Sequence, residues 1–80
     1  MKLSIFSLKS TIFEGEVKSI SLPTSQGEIT VLDNHLPVIT IVNRGILRYT
    51  DSKNAEYTLA LNGGIIEVRP QSEVIILEHV

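Results

Sequence analysis

The chain has 80 residues, a net charge of −2 and no cysteine. Disulfides and thiolate-bound metals are therefore excluded, and His35 and His79 are too far apart to suggest a local metal site. Its seven lysines and arginines are scattered singly, whereas nucleic-acid binding normally requires a basic stripe. No apolar run is long enough to cross a bilayer, and residues 3–8 alternate polar and apolar side chains, unlike a signal peptide. We expect one soluble, intracellular domain over residues 1–80.

Turn-forming residues recur at intervals of about 8–12 residues, a spacing that is typical of short strands in a sandwich or barrel. The turns are predicted around Gly15, where Glu14 and Glu16 would lie in a solvated hairpin, and over residues 23–27, 33–37, 43–45, 51–54, 62–64 and 70–72. The intervals are rich in β-branched, aliphatic and aromatic residues. No window keeps a helical apolar period for three turns without Gly or Pro. The pattern predicts an all-β domain of about eight strands.

Three of these intervals are apolar on both faces, whereas a strand of a two-sheet sandwich should alternate apolar and polar side chains. They are Val38–Val42, residues 64–66 and residues 74–77. Another interval does alternate: Tyr57, Leu59 and Leu61 lie on one face, and Glu56, Thr58 and Ala60 lie on the other. A small sandwich exposes some aliphatic side chains in any case. Three such segments together nevertheless indicate that another protein covers one outer face of a sheet.

The segment Asp33-Asn34-His35 requires an enzymatic function to be considered as an alternative, because an aspartate can orient a histidine for base catalysis. The segment has no nearby nucleophile, no second carboxylate and no glycine elbow. Asp and Asn favour turns by bonding to their own backbone, so we interpret residues 33–37 as a turn. Gly63-Gly64 has no helix after it that could bind a phosphate. We predict no catalytic residue, metal or cofactor.

The sequence resembles the ε subunit of rotary F-type ATP synthases, which is equivalent to the mitochondrial δ subunit. The resemblance is carried by the segments IFEGEV (12–17), GEITVL (27–32), HLP (35–37), GILR (45–48) and GGIIEV (63–68). It implies a flattened β-sandwich of two antiparallel sheets with about 8–10 short strands. It also implies a non-catalytic rotor subunit of the central stalk, which links the γ subunit to the ring of c subunits and so couples ion transport to ATP synthesis.

The resemblance also implies where the partners bind. Val38, Thr40 and Val42 are expected at the interface with γ, and Glu28 and His35 at the polar loops of the c ring. The chain would be peripheral at the cytoplasmic face of a bacterial plasma membrane, through the complex and without membrane insertion. A plastid thylakoid is the second possibility. A free-standing β-sandwich module for a peptide or glycan is the alternative function, although the chain has no tryptophan for stacking on sugars.

The chain departs from the family pattern at three places. Asp33-Asn34 stands where the family usually has Pro-Gly, and Thr30 stands where glycine is frequent. The two-helix hairpin that inhibits ATP hydrolysis in the family is not supplied after Val80. We therefore expect either a naturally short form or a truncation, and a chain that assembles without braking hydrolysis through that hairpin.

Overall fold

A computed structural model of the chain describes residues 1–79. Val80, the end of the last apolar segment, lies outside the described residues. The nine strands are β1 (Lys2–Phe6), β2 (Thr11–Glu16), β3 (Ser19–Thr24), β4 (Gly27–Leu32), β5 (Val38–Val42), β6 (Gly45–Thr50), β7 (Glu56–Leu61), β8 (Gly64–Arg69) and β9 (Glu73–Glu78). Residues 1–79 contain no helix, and so none that could cross a membrane.

The strands form two layers. Layer I has the order β2-β1-β9-β8-β5, and layer II has the order β4-β3-β6-β7. Strand neighbours are antiparallel except β1 and β9, which are parallel. A single residue pair, Thr24 of β3 with Val42 of β5, connects the layers into one hydrogen-bonded path. The predicted all-β sandwich is confirmed, with one parallel strand pair and a joined sheet in place of two separate antiparallel ones.

The corner between the layers lies at the end of β3, where Pro23 has no N–H to offer a neighbouring strand. Backbone groups connect the two layers on either side of it: the N–H of Ser25 donates to Ile41 O at 3.0 Å, and that of Asn43 donates to Pro23 O at 3.0 Å. The Asn43 amide also donates to Thr24 O at 3.0 Å. Thr24 is buried, and its hydroxyl donates to Gly27 O at 2.6 Å. These bonds pair backbone groups at a point where the regular ladder between strands is interrupted.

One hydrophobic core lies between the layers. It takes the alternate, inward side chains of both, including Leu3 and Ile5 of β1, Ile20 and Leu22 of β3, Leu47 of β6, and Ile66 of β8. Burying one such aliphatic side chain stabilises the fold by about 1.5–3 kcal/mol. Phe13 and Tyr49 meet across the layers with ring centroids 4.8 Å apart, and Tyr57 stacks on Tyr49 at 5.2 Å. These rings close the side of the sandwich where β2 and β7 are the edge strands.

The predicted turn at Gly15 is wrong. Gly15 lies inside β2, opposite Leu3, and the chain turns instead at residues 7–10 and again after Glu16. In the turn at 7–10 the Ser7 hydroxyl accepts from the N–H groups of Lys9 at 3.3 Å and Ser10 at 3.2 Å. The serine hydroxyl thus stabilises a turn that contains neither Gly nor Pro. This additional turn explains why there are nine strands and not eight.

The N-terminal ammonium is buried at the end of the sandwich where β4 ends. It donates to Val17 O at 2.9 Å and lies 3.2 Å from Asp33 Oδ1 and 3.5 Å from Glu16 Oε2. Hydrogen bonding to this ammonium, together with the Ser72 hydroxyl and the ammonium charge, lowers the pKa of Asp33 below its ordinary value. Asp33 thus stabilises the fold through the N-terminus.

The close packing at Gly64 allows us to predict how substitutions there change the free energy of unfolding. A Cβ at Gly64 would collide with the carbonyl oxygen of Leu77 on the paired strand β9, whereas one at Gly27 would meet nothing within 4 Å. Both residues have positive φ, 154° at Gly64 and 101° at Gly27. Gly27→Ala therefore measures backbone strain alone, about 1 kcal/mol, and Gly64→Ala should lose at least ~3 kcal/mol in urea unfolding. Equal losses would contradict the close packing of β8 on β9.

Asp33 generates a pH prediction. Because its folded-state pKa is depressed, its contribution is present above the unfolded-state pKa and is lost as the pH falls through the folded-state value. Asp33→Asn should lower the melting temperature at pH 7, and the difference from the wild type should shrink below about pH 4. Glu14→Gln is the control, because Glu14 is 4.0 Å from the exposed Lys2 ammonium. Equal effects of the two substitutions at pH 7 would contradict the role of Asp33.

Candidate functional site

The outer face of layer I carries exposed aliphatic side chains on three adjoining strands, β5, β8 and β9. Two rows of side chains cross it from strand to strand. One row joins Ile41, Ile65, Leu77 and Phe6, and the other joins Ile39, Glu67 and Ile75. Ile39 is 68% exposed and Ile41 58% exposed. Exposed aliphatic side chains that adjoin over several strands are typical of a protein interface.

The outer face of layer II has the opposite character. Its side chains bond to one another across strands: the hydroxyls of Ser19 and Thr50 at 2.7 Å and those of Ser21 and Thr30 at 3.0 Å. Ile46 and Leu32 are its exposed aliphatic side chains. This face already satisfies its hydrogen-bonding groups and offers little apolar area, so it has less need of a partner.

The three side chains predicted at the γ interface lie on the inner side of β5. Val42 belongs to the core and is 2% exposed. Val38 packs against the core from its edge, and Thr40 is partly buried opposite Ile66. Because side chains alternate along a strand, the outward residues of β5 are Ile39 and Ile41. The apolar run was identified correctly, but its composition could not assign its two faces, since both are apolar.

The two residues predicted at the c ring lie at opposite ends of β4. Glu28 is at its beginning, on the outer face of layer II, where its Oε1 accepts from Arg48 Nη2 at 3.0 Å. His35 follows its end, and the His35 Nδ1–H donates to Leu36 O at 2.7 Å. The intervening strand spans roughly 13 Å. The structure therefore does not bring Glu28 and His35 together.

The Asp33–His35 segment forms a turn with other partners. Asp33 binds the N-terminal ammonium and His35 binds Leu36 O, so the carboxylate does not orient the imidazole. Asn34, between them, has φ 66°, which asparagine tolerates well. No group of three His, Asp or Glu side chains within residues 1–79 is placed to hold a metal.

Asp51 is a second acid with a hydrogen-bonded partner. Its carboxylate accepts from the Tyr57 hydroxyl at 3.2 Å, and this bond raises the pKa of Tyr57.

Leu8 and Leu36 were not identified from the sequence. They are 81% and 79% exposed. Leu8, before β2, borders a depression with Ile65 and Leu77 of layer I, and Leu36 lies in the loop before β5, three residues ahead of Ile39. For Leu36 the available signal was a leucine inside the turn predicted at residues 33–37, because turns favour polar residues, whereas Leu8 lay outside every predicted turn.

Three comparisons extend this description. A family model described as "ATP synthase, Delta/Epsilon chain, beta-sandwich domain" matches residues 1–80. A curated relative, the ATP synthase epsilon chain of Aquifex aeolicus (strain VF5), is 32% identical over 80 residues, which cover 99% of this chain and 58% of the relative. The chain thus spans little more than half the length of that relative.

Two solved structures have the same fold. A chain of the Euglena gracilis mitochondrial ATP synthase, in a structure of its OSCP, F1 and c-ring, superposes with a TM-score of 0.89 at 25% identity over 95% of this chain and 48% of that one. A chain from the central stalk and c-ring of the Tetrahymena thermophila enzyme superposes with a TM-score of 0.79 at 15% identity, over 100% and 63%; this likeness concerns the fold alone. The chain belongs to the ATP synthase delta/epsilon chain family, of which it is the β-sandwich domain.

Proposed function

We propose that the chain is a non-catalytic subunit of the central stalk of an F-type ATP synthase, linking the γ subunit to the c ring. The observation that carries this proposal is the outer face of layer I, which is apolar over several adjoining strands while the face of layer II is polar. Family membership supports it, as does the fold shared with chains of rotary enzymes. The chain would be peripheral at the cytoplasmic face of a bacterial plasma membrane, as the Aquifex relative suggests.

The γ subunit is proposed to cover the outer face of layer I, with Ile39 and Ile41 at its centre. Removing such apolar area from water contributes about 25 cal/mol per Å² before association costs are subtracted. We assign His35 to the same γ interface, because the loop that contains His35 leads directly into β5. Among the predicted residues, Val38 and Thr40 remain candidates at the edge of the interface, and Val42 supports it from the core.

The c ring is proposed to meet the other end of the sandwich, where β4 begins. A flat ring surface contacts one end only, and Glu28 and His35 lie at opposite ends. Since His35 adjoins the proposed γ surface, Glu28 is the one assigned to the ring. Its carboxylate already pairs with Arg48, so the ring would meet a charged pair and not a lone acid.

The γ assignment generates a prediction with a matched control. Ile41→Glu places a charge on the outer face of layer I, and Thr58→Glu places the same charge on the exposed outer face of layer II. Ile41→Glu should weaken binding to the γ subunit at least about tenfold, measured by calorimetry, while Thr58→Glu leaves it unchanged. Circular dichroism should show both variants folded. Undiminished binding by Ile41→Glu, or specific capture of a soluble peptide or glycan instead of γ, would refute the assignment.

The ring assignment generates a second prediction. Glu28→Gln should lower the affinity of the reconstituted F1 sector for c-ring membranes by a few-fold, because exposed ion pairs contribute little individually. Glu56→Gln is the control, since Glu56 is exposed on the same layer but at the other end. ATP hydrolysis by detached F1 should not change in either variant. A larger effect of Glu56→Gln would place the ring at the opposite end.

A further inference from the structure

Two loops next to the strands of layer I carry further exposed leucines, Leu8 and Leu36, and each loop is closed by its own hydrogen bonds. Leu8 lies in the turn held by the Ser7 hydroxyl, where the N–H of Ser7 also donates to Ser10 O at 2.8 Å. Leu36 lies in the turn held by the His35 ring, and the N–H of His35 donates to Leu32 O at 3.2 Å. Because these loops are ordered by their own hydrogen bonds, burying the two leucines in a complex costs less conformational entropy.

With the outward strand residues, the two leucines mark out a diagonal band: Leu8 borders the depression that Ile65 and Leu77 line, and Leu36 lies three residues before Ile39. We name it the aliphatic stripe, and its members are Leu8, Leu77, Ile65, Ile41, Ile39 and Leu36. Strands lie about 4.8 Å apart and rise about 3.3 Å per residue, so the stripe is about 25 Å long and inclined by roughly 30° to the strands. Each of its six side chains is between 47% and 81% exposed, so the stripe supplies apolar area for the core of an interface, which in a standard complex buries about 800 Å² per partner.

Each end of the stripe has a shallow depression. One, of about 250 Å³, is lined by Leu8, Ile65 and Leu77, among others. The other, of about 350 Å³, lies between Pro37, Ile39 and Pro70 and is bordered by Glu67 and Arg69. Both are mainly apolar, and each is large enough to receive a side chain of a partner. Leu8 and the strand residues therefore form the recess at one end of the stripe. Pro37 and Pro70 help to form a second recess at the other end.

Charged side chains restrict the width of the stripe. On one flank Arg69 pairs with Glu67 at 3.2 Å and with Glu73 at 3.6 Å, and this flank is net acidic. On the opposite flank lies Arg44, an exposed residue in the connection after β5. A sheet packed face to face would bury the charges of the first flank, which is costly. A rod with one apolar face would leave them at its rim.

We propose that the aliphatic stripe binds a single amphipathic helix of the γ subunit, with an apolar side chain of that helix in each end depression. A helix rises 1.5 Å per residue, so about 17 residues cover 25 Å. Its apolar face would read i, i+3, i+4 and i+7. Its polar sides would carry basic residues opposite Glu67 and Glu73 and an acidic residue opposite Arg44. This inference rests on the proposed function and specifies which element of that partner is bound.

The first test measures the two ends of the stripe. Leu8→Ala and Leu36→Ala should each weaken binding to the γ subunit about tenfold, because each removes an anchor from a preorganised loop. Ile46→Ala is the control, since Ile46 is an exposed aliphatic residue on the outer face of layer II. Absence of any complex between the wild-type chain and γ would refute the proposed function itself. A complex whose affinity neither leucine variant alters would overturn the helix inference alone.

The second test identifies the bound element. Leu8→Cys and Leu36→Cys, each carrying a benzophenone photo-crosslinker, are mixed with the γ subunit, irradiated and digested. The adducts should fall on one helical segment of γ, about 17 residues apart, and Thr58→Cys should give none. Adducts on two separate elements, or on β-strands, would overturn the inference. So would crosslinks between two copies of this chain in place of crosslinks to γ.

Discussion

The fold depends on one strand that serves both layers. β3 pairs with β4 along one edge, while its other edge is divided between β6 and a single residue of β5. At 80 residues neither layer could bury an apolar face alone, so each needs the other as its cover. The hydrogen bonds around Pro23 and Thr24 keep the layers in register at the corner. The pairing at this corner determines which side chains of β5 point inward, and therefore which point outward.

The same constraint accounts for the difference between the two outer faces. Layer II satisfies its outer face with hydroxyl pairs and the Arg48–Glu28 pair, which suits a surface in contact with water. Layer I places branched aliphatic residues on both of its sides, although only the inner side is needed for the core. The outer ones add no side chain to the buried core of the domain. Their presence makes sense if a partner covers that face permanently.

Much of the architecture could be predicted from local patterns, because turn residues and alternation act within a few positions. The Ser7 turn was missed, since a serine hydroxyl leaves a weaker signal than glycine, and Gly15 was misassigned because glycine also occurs within strands. The apolar run of β5 was predicted, but its inward and outward side chains were not, because alternation does not distinguish the faces of a run that is apolar throughout; Val42 lies in the core. The separation of Glu28 from His35 could have been predicted, because the turns at residues 23–27 and 33–37 flank a single strand and therefore lie at its two ends.

The parallel pairing of β1 with β9 has a consequence for the order in which the chain acquires its structure. The pairs β3–β4 and β6–β7 of layer II are hairpins of neighbouring strands, whereas Lys2 pairs with Glu73 near the other end of the chain. Contacts that close long loops form slowly. During synthesis we expect layer II to fold first and β1 to wait for β9. Until then, the aliphatic residues of layer I are exposed on both sides, and this nascent chain is the state in which aggregation competes most with folding.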